Sequence, residues 1–265
     1  MVDIHHHLLH GLDDGPADIA TSIAMARIAV EDGLTHVVAT PHASNRYTFD
    51  PTLIAERLAE LRAALAAEGI PLTLATGCDF HLSYDNIQDA EAHPHKYTLN
   101  GTDYLLVELP DHGLPPQLSE TYYELRLAGM VPILTHPERN PTLQNDPKRM
   151  IQWLREGLLV QVTAGSVLGH MGSRAQKMAL MLLENRWVHF LATDAHNTNR
   201  RPPRMREAQA FVAKKYGEEY ARKLCVSNPA AVFAGQPWPE QEPPRQLFTE
   251  DDHFAKPWWK RMFGR

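Results

Sequence analysis

The stretch Asp3-Ile4-His5-His6-His7-Leu8-Leu9-His10-Gly11-Leu12-Asp13-Asp14-Gly15 concentrates imidazoles and carboxylates at the start of the chain. Alternate side chains on a β-strand share a face, so Asp3, His5 and His7 are expected on one side, with the two imidazoles about 6–7 Å apart. That is metal-ligand geometry, and Asp13-Asp14-Gly15 adds carboxylates on the turn leaving the strand. The three histidines run straight into an apolar pattern and an Asp-Asp-Gly turn, unlike the scar of a purification tag. A solvated histidine patch would leave the downstream acids and imidazoles unexplained. Those are His42, Asp79, Glu108, His136, Asp194 and His196.

Nitrogen and carboxylate donors without paired cysteines suit Zn²⁺, Mn²⁺ or Fe²⁺. The candidates His5, His7, Asp14, His42, Asp79, Glu108, His136, Asp194 and His196 exceed what one four- to six-coordinate ion can use, so two or three ions are expected to share the site. A single histidine or acid at a strand end is more often structural. The set is the signal, because burying so many acids without cations is costly.

The elements that must position these groups alternate along the chain. Ile19, Ile23, Ala26 and Val30 recur at helical spacing between Pro16 and Gly33, and Thr35–Thr40 is a short apolar strand ending in Pro41-His42. Asp50-Pro51 reads as a helix N-cap with proline at the first helical position, and Leu72–Thr76 is a third strand that leads to Asp79. Strands over 104–110, 131–139, 158–162 and 188–193 alternate with helices over 118–127, 148–155 and 174–184, giving seven strand-then-helix units. Short apolar strands joined by helices imply a parallel sheet. Polar residues end nearly every strand, which favours an α/β barrel over an open doubly wound sheet with one switch point. From Pro237 onward prolines and acids predict a linker, followed by a basic, aromatic end, Lys256–Phe263. That end is expected to be a packed or disordered tail, with an interfacial anchor as the sharper alternative.

Composition narrows the function. The formal charge of −6 argues against nucleic-acid binding, two cysteines are too few for a disulfide framework, and no apolar run is long enough for a transmembrane segment. A cytoplasmic location is the expectation. A cysteine-dependent tyrosine phosphatase needs arginine six positions after its cysteine, but Tyr84 and Ala231 stand there relative to Cys78 and Cys225. No glycine-rich phosphate loop with Lys-Ser/Thr is present either.

Taken together, Asp-Ile-His-x-His with Asp-Asp-Gly, Met25-Ala26-Arg27-Ile28-Ala29 with Asp32-Gly33, Ala39-Thr40-Pro41-His42, Leu106-Val107-Glu108-Leu109-Pro110, His136-Pro137-Glu138-Arg139, Gln161–Ser166 and Asp194-Ala195-His196-Asn197 with Arg201-Pro202-Pro203 form a specific pattern. Over residues 1–235 it resembles the PHP-domain phosphoesterases, and within them the bacterial protein-tyrosine phosphatases of the capsule and exopolysaccharide (CpsB/YwqE-like) branch. The resemblance implies a distorted (β/α)7 TIM-like barrel over 1–235, with 236–265 as linker and tail, and a site of three divalent metal ions, Mn²⁺ before Fe or Zn. It assigns His5, His7 and Asp194 to the first metal, Glu108 and His136 to the second, and Asp14, His42 and His196 to the third, with Asp79 as a bridge. The family usually carries glutamate at the position of Asp79. It usually has serine and proline at those of His6 and His10, which are then expected near the ligands or on the surface.

The implied activity is a metal-dependent protein-tyrosine phosphatase acting on phosphotyrosine, with a bacterial tyrosine-kinase tail governing polysaccharide export as partner. Coordination brings the pKa of water from about 15.7 toward about 7, giving hydroxide that attacks phosphorus, and paired ions stabilise the attacking and leaving oxygens. Arg139 and Arg201 offer the bidentate geometry that phosphoryl oxygens need. The rivals are a small-molecule phosphomonoesterase such as a histidinol phosphatase, and a non-catalytic metal-dependent binding protein. An oligomer is compatible with all three.

Overall fold

A computed structural model describes residues 1–110, 113–115, 117–239 and 241–247. Its strands are β1 (Val2–His6), β2 (His36–Ala39), β3 (His42–Ala43), β4 (Thr73–Thr76), β5 (Asp79–His81), β6 (Tyr104–Glu108), β7 (Val131–Thr135), β8 (Leu159–Thr163) and β9 (Phe190–Ala192). All pairings are parallel, in the orders β1-β2-β4 and β3-β5-β6-β7-β8-β9. The pairs β2/β3 and β4/β5 are each one run of chain interrupted in the middle. Pro41 lacks an N–H and breaks the first ladder. At the second break, a Cβ on Gly77 would lie 2.6 Å from Leu99 Cδ2, so only glycine lets the turn Leu99–Gly101 pack there.

The last strand returns to the first. His7 N–H donates to Ala195 O and Asp194 N–H to His5 O, both at 2.9 Å. The seven expected strands therefore close into the distorted α/β barrel, with two of them split.

Local sequence explains the flanking helices. Ile19–Glu31 starts at Asp18, whose carboxylate accepts from Thr21 N, and Pro51–Ala67 starts at Asp50, which accepts from Thr52 N and Leu53 N. Met25, Ala26 and Ala29, and Ile54, Leu61 and Leu65, are their buried faces. The helix Tyr84–Ala92 and the C-terminal helices Arg206–Tyr216, Glu218–Arg222 and Asn228–Phe233 add to those read from the sequence.

The barrel's lower interior is a separate apolar cluster that includes Val2, Ile4, Val38, Ala75, Leu106, Ile133, Phe190 and Val232. Val232 belongs to Asn228–Phe233, which thus plugs the bottom. Leu106 stands two residues before Glu108, and Phe190 four before Asp194, so the strand period puts floor and site on one inner surface.

One expectation fails on β1. Its pairing register shifts between Asp3 and His6, and this bulge resets the alternation. Asp3 is consequently turned from His5 and His7: its Oδ1 accepts from Thr193 N at 3.1 Å and its Oδ2 from Thr193 Oγ1 at 2.5 Å. It joins first strand to last and belongs to none of the potential ion-binding groups among the described residues.

Residues beyond Gln236 lie against the barrel as far as they are described. Trp238 packs on Phe190, Trp187 Nε1–H donates to Arg245 O at 2.8 Å, and Leu247 is buried. The basic, tryptophan-containing end, Lys256–Phe263, lies outside the described residues.

Candidate metal centre

The C-terminal ends of the strands bring all nine candidate ligands to one mouth. His5 Nε2 stands 3.3 Å from Asp79 Oδ2 and 3.4 Å from Asp194 Oδ1, and His7 Nε2 is 3.5 Å from that Asp194 oxygen. His42 reaches Asp79 at 3.2 Å and Glu108 at 3.6 Å through Nδ1, and Asp14 at 3.4 Å through Nε2. His196 Nε2 is 3.3 Å from Asp14, and His136 Nε2 is 3.6 Å from Glu108.

These spacings fit shared cations. Two donors each about 2.1 Å from an ion at a tetrahedral angle are about 3.4 Å apart. Among the described residues four groups have ligand atoms that all lie within 4.8 Å of one another: His5, His7 and Asp194; His7, Asp14, His42 and His196; His5, Asp79 and His136; and His42, Asp79 and Glu108. Asp79 belongs to two of them despite being one methylene shorter than glutamate. His5 Nε2, His7 Nε2, His196 Nε2 and both carboxylate oxygens of Asp79 are buried without a hydrogen-bond partner, an arrangement that bound cations would satisfy.

The outer nitrogens are already committed, which aims the inner ones. His5 Nδ1 lies 2.9 Å from Gln161 Oε1, and His7 Nδ1 lies 2.6 Å from Asp13 Oδ2. Asp13 also accepts from His42 N at 3.1 Å and Gly15 N at 2.9 Å. A Cβ on Gly15 would fall 2.8 Å from His7 O, so the turn that presents Asp14 requires glycine. The sequence marked Asp13 only as a carboxylate on the turn and Gln161 only as part of a motif. A polar residue between Val160 and Val162 on a buried strand is the signal that could have found Gln161.

Two ligand positions carry backbone strain. His136 and Asp194 hold φ of 30° and 51°, left-handed values uncommon for residues with a Cβ. Asp194 uses both oxygens: Oδ1 faces the imidazoles, and Oδ2 accepts from Arg139 and Arg201. Asn197 shapes the following loop, its Oδ1 accepting from the backbone N–H groups of Asn199, Arg200 and Arg201.

Charge balance follows from burial and proximity. Burial pushes the Asp194 carboxyl up, but His5, Arg139 and Arg201 outweigh it and hold the group well below the usual carboxylate range. Burial and neighbouring Asp79 push Glu108 up to about 8. Burial lowers the His196 pKa to about 4. Carboxylates crowded this closely require positive charge, which protons or divalent cations can supply.

The mouth opens into a cavity of about 340 Å³ lined by Asp14, His42, Tyr47, Arg139, His196 and Arg201 among others. His6 is wholly buried, its backbone N–H donating to Thr40 Oγ1, and His10 lies 3.4 Å from Glu60; neither belongs to an ion-binding group.

Comparisons with known proteins identify the family. Residues 1–234 match the family described as capsular polysaccharide synthesis, CpsB/CapC. The chain is 36% identical over 220 residues to the tyrosine-protein phosphatase YwqE of Bacillus subtilis, covering 83% of this chain and 86% of that one. It is 30% identical over 242 residues to the tyrosine-protein phosphatase CpsB of Streptococcus pneumoniae, covering 89% and 99%. A crystal structure from the pair YwqE and CpsB, described as unique metal-dependent tyrosine phosphatases, superposes with a TM-score of 0.87 at 33% identity over 92% of this chain and 98% of that one.

Proposed function

The chain belongs to the CpsB/CapC capsular polysaccharide synthesis family, and from that premise we propose that its metal centre hydrolyses phosphotyrosine in a protein, a bacterial tyrosine-kinase tail being the partner. It is a metal-dependent tyrosine phosphatase of this family, acting in polysaccharide synthesis. The observation that carries the assignment to this site is the convergence of nine ligand-type side chains beside two arginines at one mouth.

In this reading His5, His7 and Asp194 would hold a first ion, Glu108 and His136 a second, and Asp14, His42 and His196 a third, and Asp79 would serve two of them. Mn²⁺ is the proposed native ion. Bound divalent cations supply positive charge for the phosphoryl oxygens and lower the pKa of water toward about 7. Arg139 and Arg201, both anchored on Asp194 Oδ2 at the cavity wall, would offer their guanidinium groups to the phosphoryl oxygens. The cavity walls orient the ester, and a phenol, with a pKa near about 10, departs more readily than an aliphatic alcohol.

Residues 1–235 form the proposed catalytic domain, and 236–265 an appendage. Two buried unpaired cysteines, Cys78 and Cys225, accord with a cytoplasmic location. Among the described residues no helix is long and apolar enough to cross a membrane.

The test is turnover by Mn²⁺-loaded protein of a phosphotyrosyl peptide, a phosphoseryl peptide and histidinol phosphate. Phosphotyrosine is expected to be preferred, with activity lost in chelator and in Arg139→Ala. Preference for histidinol phosphate would point to a small-molecule phosphatase, and metal-loaded protein inert toward every monoester to a binding protein.

A further inference from the structure

We propose that Tyr47 determines specificity by seating the aromatic ring of the substrate, a reading that rests on the phosphotyrosine assignment above. The cavity wall is almost wholly charged, amide, hydroxyl or imidazole. Among the described residues Tyr47 is the one lining residue with a carbocyclic ring. An ester whose phosphoryl group lies between Arg139 and Arg201 must direct its organic part outward along this wall, and Tyr47 supplies the aromatic carbon surface there.

The turn that carries the ring is held in place. Ser44 N–H donates to Tyr47 O at 3.0 Å and Tyr47 N–H to Ser44 O at 3.2 Å, closing a tight turn directly after β3. Asn86 Nδ2–H donates at 2.9 Å to both Ala43 O and His81 O, tying the start of that turn to the neighbouring strand. The Tyr47 ring lies nearly parallel to that of His42, 15° apart with centroids at 5.7 Å. The Arg46 guanidinium stands 5.4 Å from the Tyr47 centroid. Stacked tyrosine and histidine thus form an aromatic wall in the cavity, with the Arg46 guanidinium over the tyrosine ring. A flat ring gains offset or edge contacts against such a wall, whereas an aliphatic group of similar size gains only burial.

The competing role for Tyr47 is to steady His42, and binding ratios separate the two. Phenylphosphonate and methylphosphonate share the phosphonate group and differ in the ring, so each is measured as a competitive inhibitor of p-nitrophenyl phosphate turnover by the full-length Mn²⁺-loaded enzyme. Tyr47→Leu is expected to reduce the preference for phenylphosphonate about five-fold, and Tyr47→Phe to retain it. An unchanged ratio, with both inhibitors weakened together, would overturn the proposal and leave Tyr47 acting through His42. The unaltered enzyme provides a second test that needs no variant to fold: cyclohexylphosphonate is apolar but not flat, and is expected to bind at least about three-fold more weakly than phenylphosphonate. Equal affinity overturns the proposal while leaving the phosphatase assignment intact. Wild-type enzyme inert toward p-nitrophenyl phosphate overturns that assignment and this inference with it.

Discussion

The two ends of the barrel interior are built from the same strands and follow opposite rules. At the lower end Ile4, Leu106, Ile133 and Phe190 are fully buried carbon, packed with Val232 from the plugging helix. At the upper end the strands deliver imidazoles and carboxylates 3.2–3.6 Å apart, several without hydrogen-bond partners, on a backbone that includes two left-handed non-glycine residues. The lower end satisfies itself; the upper end is satisfied only by something that arrives from outside. Stability and function are therefore separated by only two to four residues from Leu106 to Glu108, Ile133 to His136 and Phe190 to Asp194, and substitutions should sort by end.

The largest effect is expected at the junction of two ion-binding groups. Asp79→Asn should lower kcat/KM for p-nitrophenyl phosphate by ~10³-fold. In chelator it should leave the Tm unchanged or higher, because it removes a buried acid that then has no cation. A large fall in Tm with chelator present would show that Asp79 is structural and break the contrast.

At the other end, Phe190→Ala should cost about 3–5 kcal/mol in denaturant unfolding, since a fully buried ring leaves a cavity. The folded fraction should keep kcat within about three-fold of wild type, as the ring touches no ligand. A loss of turnover comparable to that of Asp79→Asn would mean that floor and site are one mechanical unit.

Asp13 sharpens the upper half of the comparison. Asp13→Asn keeps the size of a side chain that holds His7 Nδ1 and two backbone N–H groups, but weakens its hold on the imidazole. Metal affinity by calorimetry should drop about 10–100-fold. Affinity equal to wild type would show that the turn alone aims His7.

The smallest effect is a pH dependence at the lower end. His189 accepts Val160 N–H on Nδ1 at 3.0 Å and lies against Trp238, and burial pushes its pKa down to about 4. The folded protein holds the ring neutral while the unfolded chain protonates it near pH 6.5, so this stability is lost as pH falls from 6.5 toward 4. The loss should reach about 2 kcal/mol by pH 4.5, and His189→Gln should flatten the slope. An unaltered slope would remove His189 from the account.

Much of this was legible in the sequence because both signals are local. Strand and helix alternation sets the barrel, and a polar residue after each apolar run marks the mouth; His42, Glu108 and Asp194 all follow that rule. Asp3 broke it because a bulge cannot be read from a period-two pattern that assumes regular pairing. The parts Asp13 and Gln161 play stayed hidden because they lie in hydrogen bonds that aim imidazoles, one of them spanning 156 residues. Asn197 was equally silent: its work is to gather the N–H groups of a loop whose shape exists only once the chain folds. The closure between β1 and the chain following β9 is likewise a long-range event with no local signature.

The central claim, that the upper end is completed by cations, is tested most directly by anomalous diffraction from crystals grown with Mn²⁺. Three peaks are expected, each about 2.0–2.3 Å from imidazole nitrogens and carboxylate oxygens of the groups around His5, Glu108 and His196, with Arg139 and Arg201 facing the open side. Absence of anomalous density between these side chains, in a crystal that retains their spacing, would contradict the account.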